Sequence, residues 1–339
     1  MNIWRYLLRR ILSTIPTIFG ALVIMFILTR ILPGDPVLMI LGPAHASPEN
    51  IENMRRLMGL DHSIPVQFAR YLGQLIKGDL GFSWHTGNPV VQELVMRFPA
   101  TFELTTFSLI LMVVVGLPLG VIAGHYRNRG PDNIINGITV MGISMPTFWL
   151  GLLLIYFFFY KLGIAPPPMG RLSSGVELPP MCTGLLLIDS LLNRNVPSFL
   201  SAFEQLILPG ITLAFFNLAI IVRTLKADMI ETLREDFIRT ARAMGVGQKR
   251  ILFKYALRNA LLPTVTMIGT IYGSLLGGAV LTEVVFSWPG LGMYAVESIQ
   301  WLDYAGLQGF IIFYVLIFTM VNLVVDISYT SIDPRVQLD

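Results

Sequence analysis

The stretch Lys226–Pro263, which reads KADMIETLREDFIRTARAMGVGQKRILFKYALRNALLP, is the long charged segment of an otherwise apolar chain. Apolar residues recur through its first half at intervals of three and four, namely Ile230, Leu233, Phe237, Ala241 and Met244. This spacing predicts a helix with one apolar stripe. An apolar stripe among so many charged residues indicates a surface that binds a partner.

Two glycines divide this stretch. Gly245 and Gly247 are expected to end the first helix. A second short helix should follow, with basic side chains on one side at intervals of four: Arg250, Lys254 and Arg258. The alternative partner is anionic lipid, which would attract each basic side chain by about 1 kcal/mol. For the second helix, lipid and protein partners remain equally open.

The composition is that of an integral membrane protein, because 54% of the 339 residues are hydrophobic, 13% are charged and the mean hydropathy is +0.67. The net charge of +3 arises from 24 basic and 21 acidic residues. The basic residues are clustered between apolar runs, so no nucleic-acid partner is indicated. The single cysteine, Cys182, excludes an internal disulfide and a cysteine-based metal site.

Apolar runs long enough to span a bilayer predict six transmembrane helices. They lie at about residues 11–32, 101–124, 137–160, 206–222, 261–281 and 307–327. The first run is longer than the apolar part of a signal peptide, so we interpret it as a retained membrane helix. Another apolar segment, 184–192, is too short to span and is predicted to form a surface helix in the loop 161–205.

Residues 33–100 are interpreted as a water-soluble insert of three short helices. Pro33–Pro36 should stop the first crossing, and Ser47 followed by Pro48 resembles a helix cap. The predicted fold class is therefore an all-α integral membrane protein with six crossings and a small α-helical insert after the first. The chain divides into an N-terminus with the first crossing (1–32), the insert (33–100), a five-helix core with a loop at 227–260 (101–329) and a tail (330–339).

Basic residues predict the orientation. With the N-terminus in the cytoplasm, most of the basic residues fall on inside segments, whereas the outside connection 286–306 has none. Short loops rich in Lys and Arg stay on the cytoplasmic side. Both termini and the Lys226–Pro263 stretch are therefore expected to face the cytoplasm.

Glycines repeat every four residues in two crossings. They are Gly116, Gly120 and Gly124 in the second and Gly269, Gly273 and Gly277 in the fifth. The spacing predicts close helix packing, and ridges that slide during transport are the second interpretation. Pro118, Pro146 and Pro263 are possible kinks.

Charged residues lie near the ends of the crossings rather than at mid-depth. Glu103 and Glu283 are placed near the outer ends, where they are expected to reach the interface or to pair locally. Arg223 and Asp326 lie near inner ends, and an ion pair between them is a hypothesis. An intramembrane ion relay would need such groups at mid-depth.

Sequence signatures of catalysis and nucleotide binding are missing. The four histidines are scattered and follow no HExxH or Cys/His ligand spacing, so no metal or catalytic site is predicted. The chain has no GxxxxGK[ST] loop. If ATP drives its activity, another subunit must bind the nucleotide.

The segment Arg239–Gly245, RTARAMG, resembles the EAA loop of bacterial ABC importer permeases, in the RTARAxG form of the peptide and nickel branch. Further similar motifs span nearly the whole chain: Pro33–Pro36, Gly78–Gly81, Leu257–Pro263, Thr282–Gly292 and Asp333–Arg335. The chain departs from the general EAA pattern, because Arg239 replaces the Glu, Thr240 replaces the first Ala, and Arg258 stands where many importers have proline. The peptide branch shares these departures.

The resemblance implies the first of two permease subunits in a type I ABC importer of dipeptides, oligopeptides or nickel, in the bacterial inner membrane. Expected partners are a second permease subunit, two cytoplasmic ATPases that bind ATP and Mg, an outside substrate-binding protein and membrane lipid. This chain is expected to hold no cofactor or metal and to be no enzyme itself. The loop would be a coupling helix that docks on an ATPase through Phe237, Arg239, Thr240, Ala241, Arg242, Met244 and Gly245.

On the outer face, Trp288 and Trp301 are candidate contacts for the binding protein, and an interfacial anchor is the alternative for each.

Peptide is the expected substrate; nickel chelate, glutathione or another small solute fits the same architecture. Two other classes stay open. A gradient-driven secondary transporter would need mid-membrane ionisable residues or broken helices in matching halves, and a membrane-anchored scaffold would not need the amphipathic loop.

Overall fold

The computed structural model describes residues 3–31, 34–277 and 279–332, with the side chains of 3–11, 13 and 326–332 outside that description. The described chain is mostly helical. Its long helices are α1 (Ile3–Ile31), α5 (Val90–His125), α9 (Val196–Thr232), α12 (Leu257–Leu276) and α15 (Tyr304–Ile332). The shorter ones are α2 (Pro36–His45), α3 (Pro48–Leu57), α4 (Ile64–Ile76), α6 (Gly130–Ser144), α7 (Thr147–Leu154), α8 (Leu186–Leu192), α10 (Asp236–Ala243), α11 (Gln248–Arg250), α13 (Val280–Val285) and α14 (Leu291–Gln300).

Five helices of the described chain are long and apolar enough to cross a membrane. Helix α7 continues as a π-helical segment, Ile155–Lys161, and the bent pair of α6 with Thr147–Lys161 makes a sixth if it counts as one span. This agrees with the six predicted crossings. The third crossing is broken at Pro146, one of the three prolines that the sequence marked as possible kinks. Its two halves meet at 105°. Pro146 has no N–H to donate, and it forces the preceding Met145 into extended backbone with ψ of 125°.

The insert contains the three expected short helices, α2 to α4. Asp35 caps α2 by accepting a hydrogen bond from the Val37 amide at 3.0 Å. Ser47 caps α3 in the same way, with the Asn50 amide at 3.2 Å. Each cap is followed by proline at the first helical position. The sequence therefore located the start of α3 correctly, whereas the cap at Asp35 was not predicted.

A two-stranded hairpin that the sequence did not predict closes the insert. Strand β1 (Phe82–Ser83) pairs antiparallel with β2 (Asn88–Pro89), and α5 follows at once. The second crossing helix thus begins at Val90, whereas the predicted crossing began at about residue 101. The charged side chains in its first turns pair with one another, since Arg97 lies 3.1 Å from Glu93 and 2.9 Å from Glu297.

The glycine ridges are packing surfaces, as predicted. The first ridge lies against α9, where a Cβ on Gly120 would come within 2.9 Å of Leu225 and one on Gly124 within 2.7 Å of Met229. The second ridge lies against α15, with Gly273 facing Phe318 and Gly277 facing Tyr314. Side chains at these positions would force the helices apart. Whether the ridges slide stays a prediction.

The two outer carboxylates are buried rather than exposed at an interface. Glu103 forms the expected local pair, with Arg171 at 2.6 Å. Glu283 lies in α13, after the fifth crossing, and its side chain has no exposed surface. It accepts hydrogen bonds from the Thr101 hydroxyl at 2.8 Å and the Met293 amide at 3.0 Å. Burial raises the pKa of the Glu283 carboxyl.

The loop between the third and fourth crossings contains α8, which matches the surface helix predicted at 184–192. Its Asp189 is buried and accepts hydrogen bonds from the Thr183 and Gly184 amides at 2.8 and 2.9 Å.

The hypothesis of an Arg223–Asp326 pair stays a prediction, because the Asp326 side chain lies outside the described residues.

Candidate coupling site

The Lys226–Pro263 stretch forms a helical hairpin at one end of the bundle. Helix α9 continues into it as far as Thr232, the chain turns at Leu233–Glu235, and α10 then runs from Asp236 to Ala243. The predicted single helix from Ile230 to Met244 is therefore wrong. The chain leaves the α9 axis at Glu235, whose ψ of 150° is extended, and this turn folds α10 back onto the core.

One face of α10 anchors the hairpin. Ile238 has no exposed surface and Ala241 is 2% exposed. Both belong to a cluster of buried side chains, here called the anchor cluster: Val121, Leu225, Met229, Ile238, Ala241, Ile251, Leu252, Ala256 and Ala260. Ala241 thus packs inward and does not present its side chain to a partner. The sequence argument missed Ile238 because it followed a stripe through Phe237, although the i, i+3 spacing of Ile238 and Ala241 was available.

The remaining predicted coupling residues lie on the outside of α10. Phe237 is 42% exposed and Met244 is 72% exposed. These two residues are seven apart and therefore lie on the same flank of a helix with 3.6 residues per turn. Arg239, Thr240 and Arg242 are exposed as well. The arrangement separates an anchored face from a free face that carries two large apolar side chains among polar ones.

Gly245 makes the turn that follows α10. Its φ of +76° lies in the left-handed region, which glycine adopts without steric cost. Gly247, by contrast, has an extended backbone with φ of −62° and ψ of 144°. Only Gly245 therefore needs to be glycine, whereas the sequence suggested both glycines as helix breakers.

For the ATP-coupled uptake that the resemblance to importer permeases implies, we expect Gly245→Val to insert normally in the membrane but to separate ATP hydrolysis from uptake. No atom lies within 4 Å of a Cβ at Gly245, so the change adds strain without a clash. The strain costs about 1–3 kcal/mol for a side chain held at positive φ. Substrate uptake and ATP hydrolysis by the reconstituted transporter measure the effect. Gly247→Ala is the matched control, and equal uptake by the two variants would contradict the assignment.

The chain beyond Gly245 returns to the membrane through α11 and a π-helical segment, Ile251–Ala256. Arg250, Lys254 and Arg258 are all exposed there. Ile251 and Leu252, between them, are buried in the anchor cluster. The second part of the hairpin therefore has a packed side and a basic side. Contact of the basic side with lipid or with a protein stays a prediction.

A buried ion pair fastens the base of the hairpin to α6. The ammonium of Lys226 lies 2.5 Å from the carboxylate of Asp132, whose side chain is 1% exposed. Asp132 also accepts a hydrogen bond from the Asn128 amide at 2.8 Å. On the same end of the bundle, the Gln248 amide lies 3.5 Å from the His125 ring. The turn after α5, which carries Arg127 and Arg129, thus shares this end with the hairpin.

At the opposite end, the two tryptophans have different environments. Trp288 is 1% exposed and its indole N–H donates to the Ala100 carbonyl at 2.8 Å. It is an internal packing residue, which corrects both the docking and the anchor interpretations. Trp301 is 45% exposed and stacks on His85 with ring centres 4.4 Å apart. Trp301 remains a candidate docking residue.

Trp301 and His85 line a cavity of about 290 Å³ between the insert and the start of α15. Other polar side chains in its wall come from α1, α3 and α4: Arg30, Arg56, Gln67, Arg70, Tyr71 and Gln74. Over the described residues, no group of three or more His, Cys, Asp or Glu side chains could hold a metal ion.

Comparison with known proteins identifies the family. The model of the binding-protein-dependent transport system inner membrane component matches residues 116–338, and the model of the N-terminal part of such components matches residues 3–105. The chain belongs to this family of ABC transporter permeases. The hairpin described above therefore belongs to a transport subunit, and the permease is a multi-pass membrane protein of a binding-protein-dependent system.

Relatives match the permease over almost its whole length. It is 44% identical to the probable D,D-dipeptide transport system permease protein of Escherichia coli (strain K12), over 99% of this chain and 98% of that one. It is 38% identical to the dipeptide transport system permease protein of Alkalihalophilus pseudofirmus, over 98% and 99%. A glutathione transport system permease protein of Escherichia coli O6:H1 is also 38% identical, over 98% of each chain.

Proposed function

We propose that this permease is one of two different membrane subunits of an ATP-driven importer that carries dipeptides or short oligopeptides across the bacterial inner membrane. The free face of α10 docks on a cytoplasmic ATPase, and a substrate-binding protein delivers the solute at the opposite end. ATP and Mg bind to the two ATPase subunits. The permease itself performs no chemical reaction and binds no nucleic acid.

The observation that carries the proposal is the two-sided structure of α10. Its inner face is fixed to α9 and to the Ile251–Ala256 segment through the anchor cluster. Its outer flank presents Phe237 and Met244 to solvent. A packed interior transmits displacement because it is close to incompressible. Movement of a protein bound at the outer flank would therefore move α9 and α12 together.

The basic residues support a cytoplasmic location for the hairpin. The turn with Arg127 and Arg129 and the segment with Arg250 and Lys254 lie at the same end of the bundle. Both belong to short connections between spans, for which the positive-inside rule holds. The connection 286–306, at the other end, has no basic residue. Both chain termini then face the cytoplasm if the spans number six.

Two relatives that transport dipeptides support a peptide as the substrate, and the glutathione permease supports a second candidate of similar chemistry. The family relation favours ATP-driven transport over a gradient-driven carrier. Competition by unlabelled dipeptide, glutathione or nickel chelate against labelled dipeptide uptake would separate the candidate solutes.

The docking proposal is tested with Phe237→Glu combined with Met244→Glu. Burial of an exposed apolar side chain contributes about 1.5–3 kcal/mol, so we expect loss of the two side chains to weaken ATPase binding by at least about tenfold. The measurement is the amount of ATPase that copurifies with the tagged permease. Leu57→Glu is the control, since Leu57 is 73% exposed on α3 in the insert. Equal ATPase recovery by all variants would refute docking on α10.

A further inference from the structure

The exposed positions of α12 differ from those of the neighbouring spans α5 and α15. All twenty residues of this helix are described, and the exposed ones are Arg258, Asn259, Pro263, Thr266, Thr270 and Ser274. None of its exposed side chains is a large hydrophobic one. The helix nevertheless belongs to a segment apolar enough to cross the membrane.

Neighbouring spans show the opposite pattern. Over residues 97–125 of α5, the exposed residues are all apolar: Ile110, Val114, Val115, Pro118 and Ile122. The exposed residues of α15 over 304–325 are also apolar: Leu316, Met320 and Val324. Aliphatic side chains are what the hydrocarbon core favours at lipid-facing positions. The exposed face of α12 therefore differs in chemistry from the lipid-facing surfaces of the same molecule.

The polar positions form one continuous face. Asn259, Pro263, Thr266, Thr270 and Ser274 fall within an arc of about 80° when each residue turns the helix by about 100°. The glycine ridge of α12 lies outside this arc for most of its length and packs on α15. The polar face is thus directed away from the fold's own core.

The two threonines of this face are oriented as hydrogen-bond acceptors. The Thr266 hydroxyl donates its proton to the Leu262 carbonyl at 3.2 Å, and the Thr270 hydroxyl donates to the Thr266 carbonyl at 3.1 Å. A hydroxyl whose proton is used in this way keeps its lone pairs for an external donor. The face therefore offers oxygen acceptors to a passing N–H group.

The same face leads to a cavity near the coupling hairpin. Asn259 and Pro263 line an open space of about 290 Å³, whose wall continues through α9 and the start of α10 with Asp228, Glu231, Thr232, Glu235 and Phe237. The Oδ2 atom of Asp228 is buried and has no hydrogen-bond partner in the described structure. Such an oxygen is free to accept a hydrogen bond from water or from a ligand donor. The polar face of α12 thus borders a space lined by the carboxylates of Asp228 and Glu231, close to the C-terminal end of α9.

We propose that this face of α12 lines the water-filled passage of the transporter, and that Thr266, Thr270 and Asp228 accept hydrogen bonds from the amide and ammonium groups of the solute. The inference rests on the proposed transport of peptides and adds the residues that meet the solute. A peptide brings N–H donors and a cationic amino terminus, which suit a row of hydroxyl acceptors that ends at a carboxylate.

Cysteine accessibility in the assembled transporter tests the exposure to water. The native cysteine is first replaced as Cys182→Ser, and Thr266→Cys, Thr270→Cys and Ser274→Cys are then compared with Val114→Cys and Met320→Cys. We expect a charged methanethiosulfonate reagent to modify the α12 cysteines at least about tenfold faster than the two controls, because thiolate formation needs water. Equal rates, or protection of all three α12 positions, would overturn the proposal.

A second variant tests the contact with the solute. Thr270→Val removes the acceptor oxygen at nearly constant shape, and we expect dipeptide uptake at low concentration to fall about fivefold. Thr319→Val on α15 is the matched control, since the Thr319 hydroxyl makes the same bond to a carbonyl of its own helix, that of Val315, at 2.8 Å. Equal uptake by the two variants would refute the contact. ATPase copurification should be unchanged in both, which separates this test from that of docking on α10.

Discussion

Replacement of Ala241 by aspartate is expected to abolish coupled uptake and to destabilise the permease by at least about 3 kcal/mol, because a carboxylate would be buried without a partner. Ala241 is 2% exposed and packs among the aliphatic side chains of the anchor cluster, including Leu225 and Met229. The charged side chain would reach water only if α10 detached from the core. The variant therefore tests whether the packed inner face of α10 transmits movement to the membrane helices, without changing the outer face that is proposed to bind the ATPase.

The measurements are thermal unfolding of the purified complex and substrate uptake in proteoliposomes. Ala243→Asp is the matched control, two residues further along the same helix and exposed. It should leave the unfolding temperature near that of the parent protein. If Ala241→Asp unfolds at the same temperature as Ala243→Asp, the role of the anchor cluster in holding α10 is wrong.

Removal of the Asp132 carboxylate is expected to destabilise the permease by about 3 kcal/mol, since it leaves Lys226 without its buried partner. The pair has a separation of 2.5 Å, and the side chains are 1% and 19% exposed. The Lys226 ammonium also donates to the Asn136 side chain at 3.1 Å. These contacts hold the start of α6 against the segment of α9 that leads into the coupling hairpin.

Asp132→Ala is measured by thermal unfolding and by uptake, with Asp236→Ala as the control. Asp236 pairs with Arg239, but the two side chains are 92% and 73% exposed, and such a pair contributes about 0–1 kcal/mol. Asp132→Lys combined with Lys226→Asp should recover part of the stability that either single reversal loses. A double variant no better than the worse single one would show that the pair does not act as a unit.

The order of the membrane segments was predictable because it depends on local composition. Each predicted run is apolar enough to leave water by itself, and each coincides with a helix, or with the bent pair α6–α7, in the structure. The cap at Ser47 was predictable for the same reason, since it involves residues close together in sequence. The turn at Gly245 also follows from one residue, whose backbone conformation glycine favours.

Long-range contacts explain the expectations that failed. Helix α5 begins before the predicted crossing, and Arg97 in its early turns is neutralised by Glu297, which is 200 residues away in sequence. Trp288 resembled a surface residue, yet its indole meets the carbonyl of Ala100 on α5. Phe237 and Ile238 are adjacent and both apolar, so periodicity alone could not say which one the core would bury.

The sequence by itself determined that this protein crosses the membrane several times, that a charged loop connects two of its later spans, and that it resembles transporter permeases. These properties are sums over neighbouring residues, and hydrophobic transfer free energy is additive along a chain. Only the tertiary structure decided which face of α10 is anchored and which face of α12 is free, because burial depends on residues that are distant in sequence and meet only in the folded bundle.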